Sequence, residues 1–200
     1  MKFFVNFLSA FRIATAFAII PTAIMNWYWV TFVLFILGSI SDWFDGYLAR
    51  KYNCCSKLGG VMDHIGDKLL VCNALILFPF ILLDLEGIVM KNVSLGTYFW
   101  VVGVLPVILM IDRELYISGL REFLGTQKIE MPVPKARFSM GKIKTTMQML
   151  ALTFIFLSFS VHLEILENIG ISCLWFALVA SLWSATQYTI TFIEKLKKIK

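Results

Sequence analysis

Charge is scarce in this chain. Asp, Glu, Lys and Arg make up 16% of its residues, against 59% hydrophobic, with a mean hydropathy of +0.80. Water-soluble domains carry about 25% charged residues, so the composition excludes one and places the chain in the polytopic membrane class. Histidine and cysteine are also few, at two and four residues. Cys54 and Cys55 are adjacent, Cys72 and Cys173 lie in apolar runs, and no second Cys or His pair stands at zinc spacing. Neither a structural zinc site nor a disulfide framework follows from that pattern, and the cysteines read as reduced thiols. No small-residue cleavage site closes the apolar run after Met1-Lys2, which continues to Pro21 with Arg12 inside it. It reads as a retained first span, not a signal peptide. There is no internal repeat and no low-complexity segment, so residues 1–200 are expected to form a single integral-membrane domain.

What the chain does have is long apolar runs. Six transmembrane helices are expected, in an all-α bundle: Val5–Met25, Val30–Arg50, Gly60–Leu83, Leu95–Phe123, Lys142–Val161 and Ile169–Ile193. The connections are an aromatic turn at Asn26 to Trp29, a polar turn around Asn53 to Gly59, and a loop from Asp84 to Ser94. A basic connection, Leu124 to Gly141, and a short acidic turn, His162 to Asn168, follow. With the N-terminus inside, the inner loops hold Arg50, Lys51, Lys57, Lys128, Lys135 and Arg137, and the tail holds Lys195, Lys197, Lys198 and Lys200. The outer loops hold Lys91 with Asp84, Glu86, Glu164 and Glu167. This asymmetry predicts cytoplasmic termini and a basic cytoplasmic face, favourable to anionic headgroups and anionic substrates. The basic residues are spread along span ends, which argues against nucleic acid.

Aspartates stand where the second and third runs meet. Asp42 and Asp45 are three apart, Asp63 and Asp67 four apart, so each pair shares a helix face. Carboxylates are expensive beside apolar runs and are usually functional there. Four of them in a small space need cations between them. Oxygen ligands suit one or two Mg²⁺ or Mn²⁺ ions, which commonly also hold substrate phosphates. Gly46, Ala49, Gly59 and Gly60 leave room for a ligand or a second backbone, and Arg50 adds a cation. Capping of helix ends is the structural alternative, but capping needs one acid per helix start and not pairs.

The full pattern, D-x-x-D-G-x-x-A-R, eight residues, then G-x-x-x-D-x-x-x-D, resembles the signature of the CDP-alcohol phosphatidyltransferases, with every fixed position filled. A second stretch, Asp112 to Gly125, is followed by Val133 to Met149. Together they gather Arg113, Arg121, Lys135, Arg137, Lys142 and Lys144 near the expected cytoplasmic surface. Fixed cations beside a carboxylate site suit a phosphorylated acceptor; the plainer alternative is a set of anchors for lipid phosphates. R-E-L-x-I-S-G-L-R-E from Arg113, G-K-x-K-T-T from Gly141, D-K-L-L-V from Asp67 and the early Arg12 resemble the phosphatidylglycerophosphate synthase branch of that family. The chain departs from that branch at His64-Ile65-Gly66 and at Ser139.

The resemblance implies transfer of a phosphatidyl group from CDP-diacylglycerol to sn-glycerol 3-phosphate, releasing CMP. It implies metal ligands at Asp42, Asp45, Asp63 and Asp67, with two ions per site, and Asp67 as general base. CDP would be held by Asp42, Asp45, Gly46, Ala49, Arg50, Gly59 and Asp63. Glycerol 3-phosphate would be held by Arg113, Arg121, Lys135, Arg137 and Lys142. A homodimer in a bacterial-type inner membrane is also implied. The competing expectations are a sibling enzyme using serine, inositol or phosphatidylglycerol, and a cation transporter. A transporter would place its carboxylates near the midplane on broken helices. His64 is turned off the aspartate face by helical geometry, and His162 is expected in a solvated turn.

Overall fold

The computed structural model describes residues 2–52, 57–85, 99–126 and 140–197. Six α-helices follow in order: α1 (Lys2–Ile24), α2 (Tyr28–Tyr52), α3 (Lys57–Leu85), α4 (Leu105–Thr126), α5 (Met140–Val161) and α6 (Glu164–Lys197). A π-helical turn, Phe99–Val104, leads into α4. There is no strand among the described residues.

The two short turns have one design. Asn26 and His162 both have positive φ, 59° and 54°. Trp27 N–H donates to the Thr22 carbonyl at 2.9 Å, and Leu163 N–H to that of Ser158 at 3.4 Å. These bonds reach five residues back and close each helix in the Schellman manner, with Asn and His in the position glycine usually takes. His162 is exposed, as a solvated turn requires. The expected acidic turn is shorter than the sequence indicates. Glu164 and Glu167 already belong to the first turn of α6, where their charge complements the positive end of the helix dipole.

Of the six helices, α1, α3, α5 and α6 are long and apolar enough to cross a membrane. The described apolar part of α2, Tyr28–Asp42, is shorter, and the last turns of that helix carry Asp45, Arg50 and Lys51. Likewise α4 carries Asp112, Arg113, Glu114, Arg121 and Glu122 along its length. Exposed Phe17, Phe80, Phe176 and Trp183 give the outside an apolar character that suits lipid.

The core lies along α3 and α5, with α1, α2 and α6 against it. Phe35, Leu70, Ala74, Phe78, Leu152, Ile155 and Phe156 are among its fully covered members. Lipid tails are as apolar as leucine, so helix association in a bilayer relies on close packing and interhelical hydrogen bonds. Both are present. A Cβ on Gly170 would meet Ile155 Cγ1 at 2.7 Å and the Ala151 carbonyl at 3.1 Å, so α5 and α6 approach where no side chain intervenes. A Cβ on Gly38 would meet Leu70 Cδ2 and Thr15 Oγ1, both at 2.9 Å, which brings α2 close to α3 and α1. Asn73 Nδ2 donates to the Ala16 carbonyl at 2.8 Å, tying α3 to α1. These contacts fix the depth at which α1, α2 and α3 lie against one another, and that depth sets the site.

Candidate active site

Arg12, Asp42 and Asp67 each stand ten residues from the same-side end of their helices: Lys2 to Arg12, Asp42 to Tyr52, Lys57 to Asp67. At 1.5 Å per residue that is roughly 15 Å of helix. Because α1, α2 and α3 alternate in direction, the three residues arrive at one level. Asp63 lies one turn from Asp67 on the same face of α3. Carboxylate oxygens of Asp42, Asp63 and Asp67 come within 4.8 Å of one another.

The Arg12 guanidinium lies among them, fully buried. Its Nη1 is 3.1 Å from Asp42 Oδ1 and donates to Asp63 Oδ1 at 2.9 Å. It also donates to Asp67 Oδ1. The three carboxylate side chains remain 40–44% exposed while Arg12 is 0% exposed. The arginine is therefore a buried cationic counter-charge, and the carboxylates present their other lone pairs outward. Counted formally, three carboxylates against one guanidinium leave an excess of two negative charges. An all-oxygen donor set with that excess fits a hard divalent cation.

A cavity of about 240 Å³ adjoins the cluster, with Asp42 and Asp67 in its lining. Its other walls include Lys68, Cys72, Glu114, Lys144, Gln148 and Met149, from α3, α4 and α5. The polar groups of these walls are mostly engaged. Lys68 Nζ donates to Ser118 Oγ, and Lys144 Nζ pairs with Glu114 Oε1. Glu114 also receives Arg113 Nη1 at 3.0 Å.

The described members of the basic cluster expected at the surface divide in two. Arg113 and Lys144 are buried. Each of the three Arg113 nitrogens donates to a protein acceptor: Glu114, the Ser181 carbonyl at 3.3 Å and Ser184 Oγ at 3.0 Å. It thus joins α4 to α6. The reason is depth: both residues sit where an unpaired cation would be costly, so each took a protein partner. Arg121 is exposed, donates to Tyr188 Oη at 3.0 Å, and lies 5.1 Å from that ring's centroid. Asp45, Gly46, Ala49 and Arg50 follow Asp42 on the α2 backbone and Lys142 lies in the first turn of α5; their side chains lie outside the described residues. Lys135, Arg137 and Ser139 also lie outside them, as does the Cys54–Cys55 pair. Gly59 is buried in the first turn of α3, and His64 is exposed.

Sequence reasoning passed over Arg12 as a site residue, although an arginine inside an apolar run is itself a demand for a counter-charge. Glu114 and Gln148 were also passed over. Gln148 stands four residues after Lys144, one turn on, a spacing that places both on one face of α5.

A helical, lipid-compatible protein with an oxygen-rich carboxylate cluster beside a small polar cavity is built for metal-assisted chemistry on a phosphorylated substrate at a membrane. Comparison with known proteins specifies the class. A model of the CDP-alcohol phosphatidyltransferase family matches residues 3–183, and the chain belongs to that family of transferases. Among similar curated proteins is the CDP-diacylglycerol–glycerol-3-phosphate 3-phosphatidyltransferase 2 of Arabidopsis thaliana, 36% identical over 180 residues, covering 88% of this chain and 74% of that one. Proteins named CDP-diacylglycerol–glycerol-3-phosphate 3-phosphatidyltransferase in Rickettsia bellii and Haemophilus influenzae are 34% and 32% identical. They cover 92% and 94% of this chain, and 91% and 92% of their own lengths is matched.

Proposed function

We propose that the chain transfers the phosphatidyl group of CDP-diacylglycerol to sn-glycerol 3-phosphate, giving phosphatidylglycerol phosphate and CMP. The observation that carries this is the convergence of Asp42, Asp63 and Asp67 within 4.8 Å beside a cavity. The names of the relatives supply the two substrates. The small cavity, below the usual range of about 300–1,000 Å³ for drug-sized ligands, suits an acceptor of headgroup size. The donor's acyl chains stay among the lipids, so no lipid leaves the bilayer.

The reaction is a displacement at phosphorus. The acceptor hydroxyl oxygen forms a bond to the phosphorus that carries diacylglycerol, and the bond from that phosphorus to the CMP oxygen breaks. Asp42, Asp45, Asp63 and Asp67 would hold one or two Mg²⁺ or Mn²⁺ ions, whose positive charge would help bind the pyrophosphate and offset the charge that develops on leaving CMP. Asp67 takes the proton of the attacking hydroxyl; it lines the cavity in which the acceptor would lie. Arg12, its guanidinium among the three carboxylates, holds them in place and limits their mutual repulsion. Gly46, Ala49 and Gly59 leave room for cytidine and ribose, and Arg50 adds a cation at that end. Arg121, Lys135, Arg137 and Lys142 receive the acceptor phosphate, while Arg113 braces α4 against α6.

The proposal extends to the whole molecule. All six helices cross the membrane, α2 and α4 carrying their charges to a cytoplasmic face where both termini lie, and two copies associate in a bacterial-type inner membrane. The test is CMP release from CDP-diacylglycerol by the protein reconstituted in vesicles, with glycerol 3-phosphate, serine, inositol or phosphatidylglycerol as acceptor. Release with glycerol 3-phosphate alone is expected. Release with one of the others instead would reassign the acceptor.

A further inference from the structure

Among the described residues of the cavity wall, Gln148 has a buried polar atom that no protein group satisfies. Gln148 is 2% exposed, lines the same cavity as Asp42 and Asp67, and its Nε2 is a buried donor with no hydrogen-bond partner. A buried amide donor left unpaired is costly, and such a group is normally satisfied by a partner or a bound molecule. Its neighbours differ in this respect. Lys68 donates to Ser118, and Lys144 to Glu114, which Arg113 also holds. On α5, Lys144 and Gln148 are one turn apart on the face toward the cavity, so the Lys144–Glu114 pair fixes the helix from which Gln148 reaches out.

Resting on the proposed acceptor, we infer that Gln148 binds the non-reacting middle hydroxyl of glycerol 3-phosphate and so determines which hydroxyl faces Asp67. The chemistry matches. The acceptor has three kinds of group: a phosphate, a primary hydroxyl that attacks, and a second hydroxyl. The phosphate draws on cations and the attacking hydroxyl on Asp67. A neutral amide suits the remaining hydroxyl, which can accept from Nε2. Hydrogen bonding at that position positions the primary hydroxyl for attack and discriminates against acceptors that lack a neighbouring hydroxyl. A site built to bond a hydroxyl rejects an analogue without it, because its own polar group is then left unpaired.

The experiment compares glycerol 3-phosphate with 3-hydroxypropyl phosphate, which keeps the phosphate and the primary hydroxyl but has no middle hydroxyl. Reconstituted wild type and Gln148→Met, an apolar side chain of similar size, are assayed for CMP release with each. Wild type is expected to favour glycerol 3-phosphate by about tenfold or more in kcat/KM. Gln148→Met should lose about that factor with glycerol 3-phosphate and little with the analogue, bringing the two acceptors to within about threefold. Retained turnover of the analogue also shows that the variant is folded. Should Gln148→Met fail to accumulate, Gln148→Leu also removes the amide and leaves no hydrogen-bonding group, so the ratio between the two acceptors still reports the hydroxyl. Equal losses with both acceptors, or no loss with either, overturn the role of Gln148 while leaving the acceptor assignment in place. Failure of the wild type to use glycerol 3-phosphate at all overturns the acceptor assignment and this inference with it.

Discussion

Replacing Arg12 with Met isolates what the buried guanidinium contributes. Met is apolar and fills much of the same volume, so the main loss is electrostatic. Arg12 Nη1 lies 3.1 Å from Asp42 and 2.9 Å from Asp63, and also bonds Asp67. Removing one partner of a buried ion pair costs about 3–5 kcal/mol. The carboxylates are 40–44% exposed, so water screens part of their repulsion and the loss falls near the low end, about 3 kcal/mol. For a chain of this length each kcal/mol shifts Tm by about 2–4 °C, so a fall of roughly 6–12 °C is expected. The assay is thermal unfolding in detergent micelles, followed by tryptophan fluorescence, with EDTA or with saturating Mg²⁺. The full loss should appear in EDTA. Mg²⁺ should restore a larger share of Tm in Arg12→Met than it adds to wild type, because a divalent cation bound to the folded state supplies the missing positive charge. Equal Tm values for the two proteins in EDTA would refute the counter-charge role. A loss of the same size with and without Mg²⁺ would reduce Arg12 to a packing residue.

Exhaustive chelation is expected to abolish CMP release, and Mg²⁺ or Mn²⁺ to restore it; undiminished turnover in EDTA would remove the metal from the mechanism. Asp67→Asn keeps size and one oxygen but cannot take a proton near neutral pH. Its turnover should fall by roughly 10²–10⁴ with CDP-diacylglycerol binding largely kept, whereas Asp42→Asn should weaken donor binding. Measuring binding and turnover separately decides the matter, since equal loss of donor binding in both variants would make Asp67 mainly a ligand. Arg121→Ala should raise KM for glycerol 3-phosphate more than KM for CDP-diacylglycerol. Equal effects on the two would return Arg121 to anchoring lipid phosphates or bracing Tyr188.

The aspartates were legible because their information is local. Spacings of three and four residues fix which side chains share a helix face, whatever the helix later packs against. The long apolar runs announced helices in the same way, and the observed α1, α3 and α5 keep close to the expected limits. The start of α6 was less legible. Glu164 and Glu167 look like loop residues by hydropathy, yet they favour a helix N-terminus through its dipole. Only the bond from Leu163 N–H back to Ser158, with His162 at positive φ, shows that the turn has already ended.

By itself the sequence determined the solvent, the helical class and the carboxylate chemistry, since composition, periodicity and short spacings are properties of neighbouring residues. Tertiary structure decided which charges neutralise which. Arg12 is 51 and 55 residues from Asp63 and Asp67, and Lys144 is 30 from Glu114. Lys144 looked like one more surface cation until α4 and α5 came together, and nothing in the sequence singled out Gln148. The partner of a buried polar group is chosen by the depth and rotation at which helices meet. Contacts such as those at Gly38 and Gly170, where backbones approach without an intervening side chain, set that depth and rotation, and no spacing along the chain encodes them.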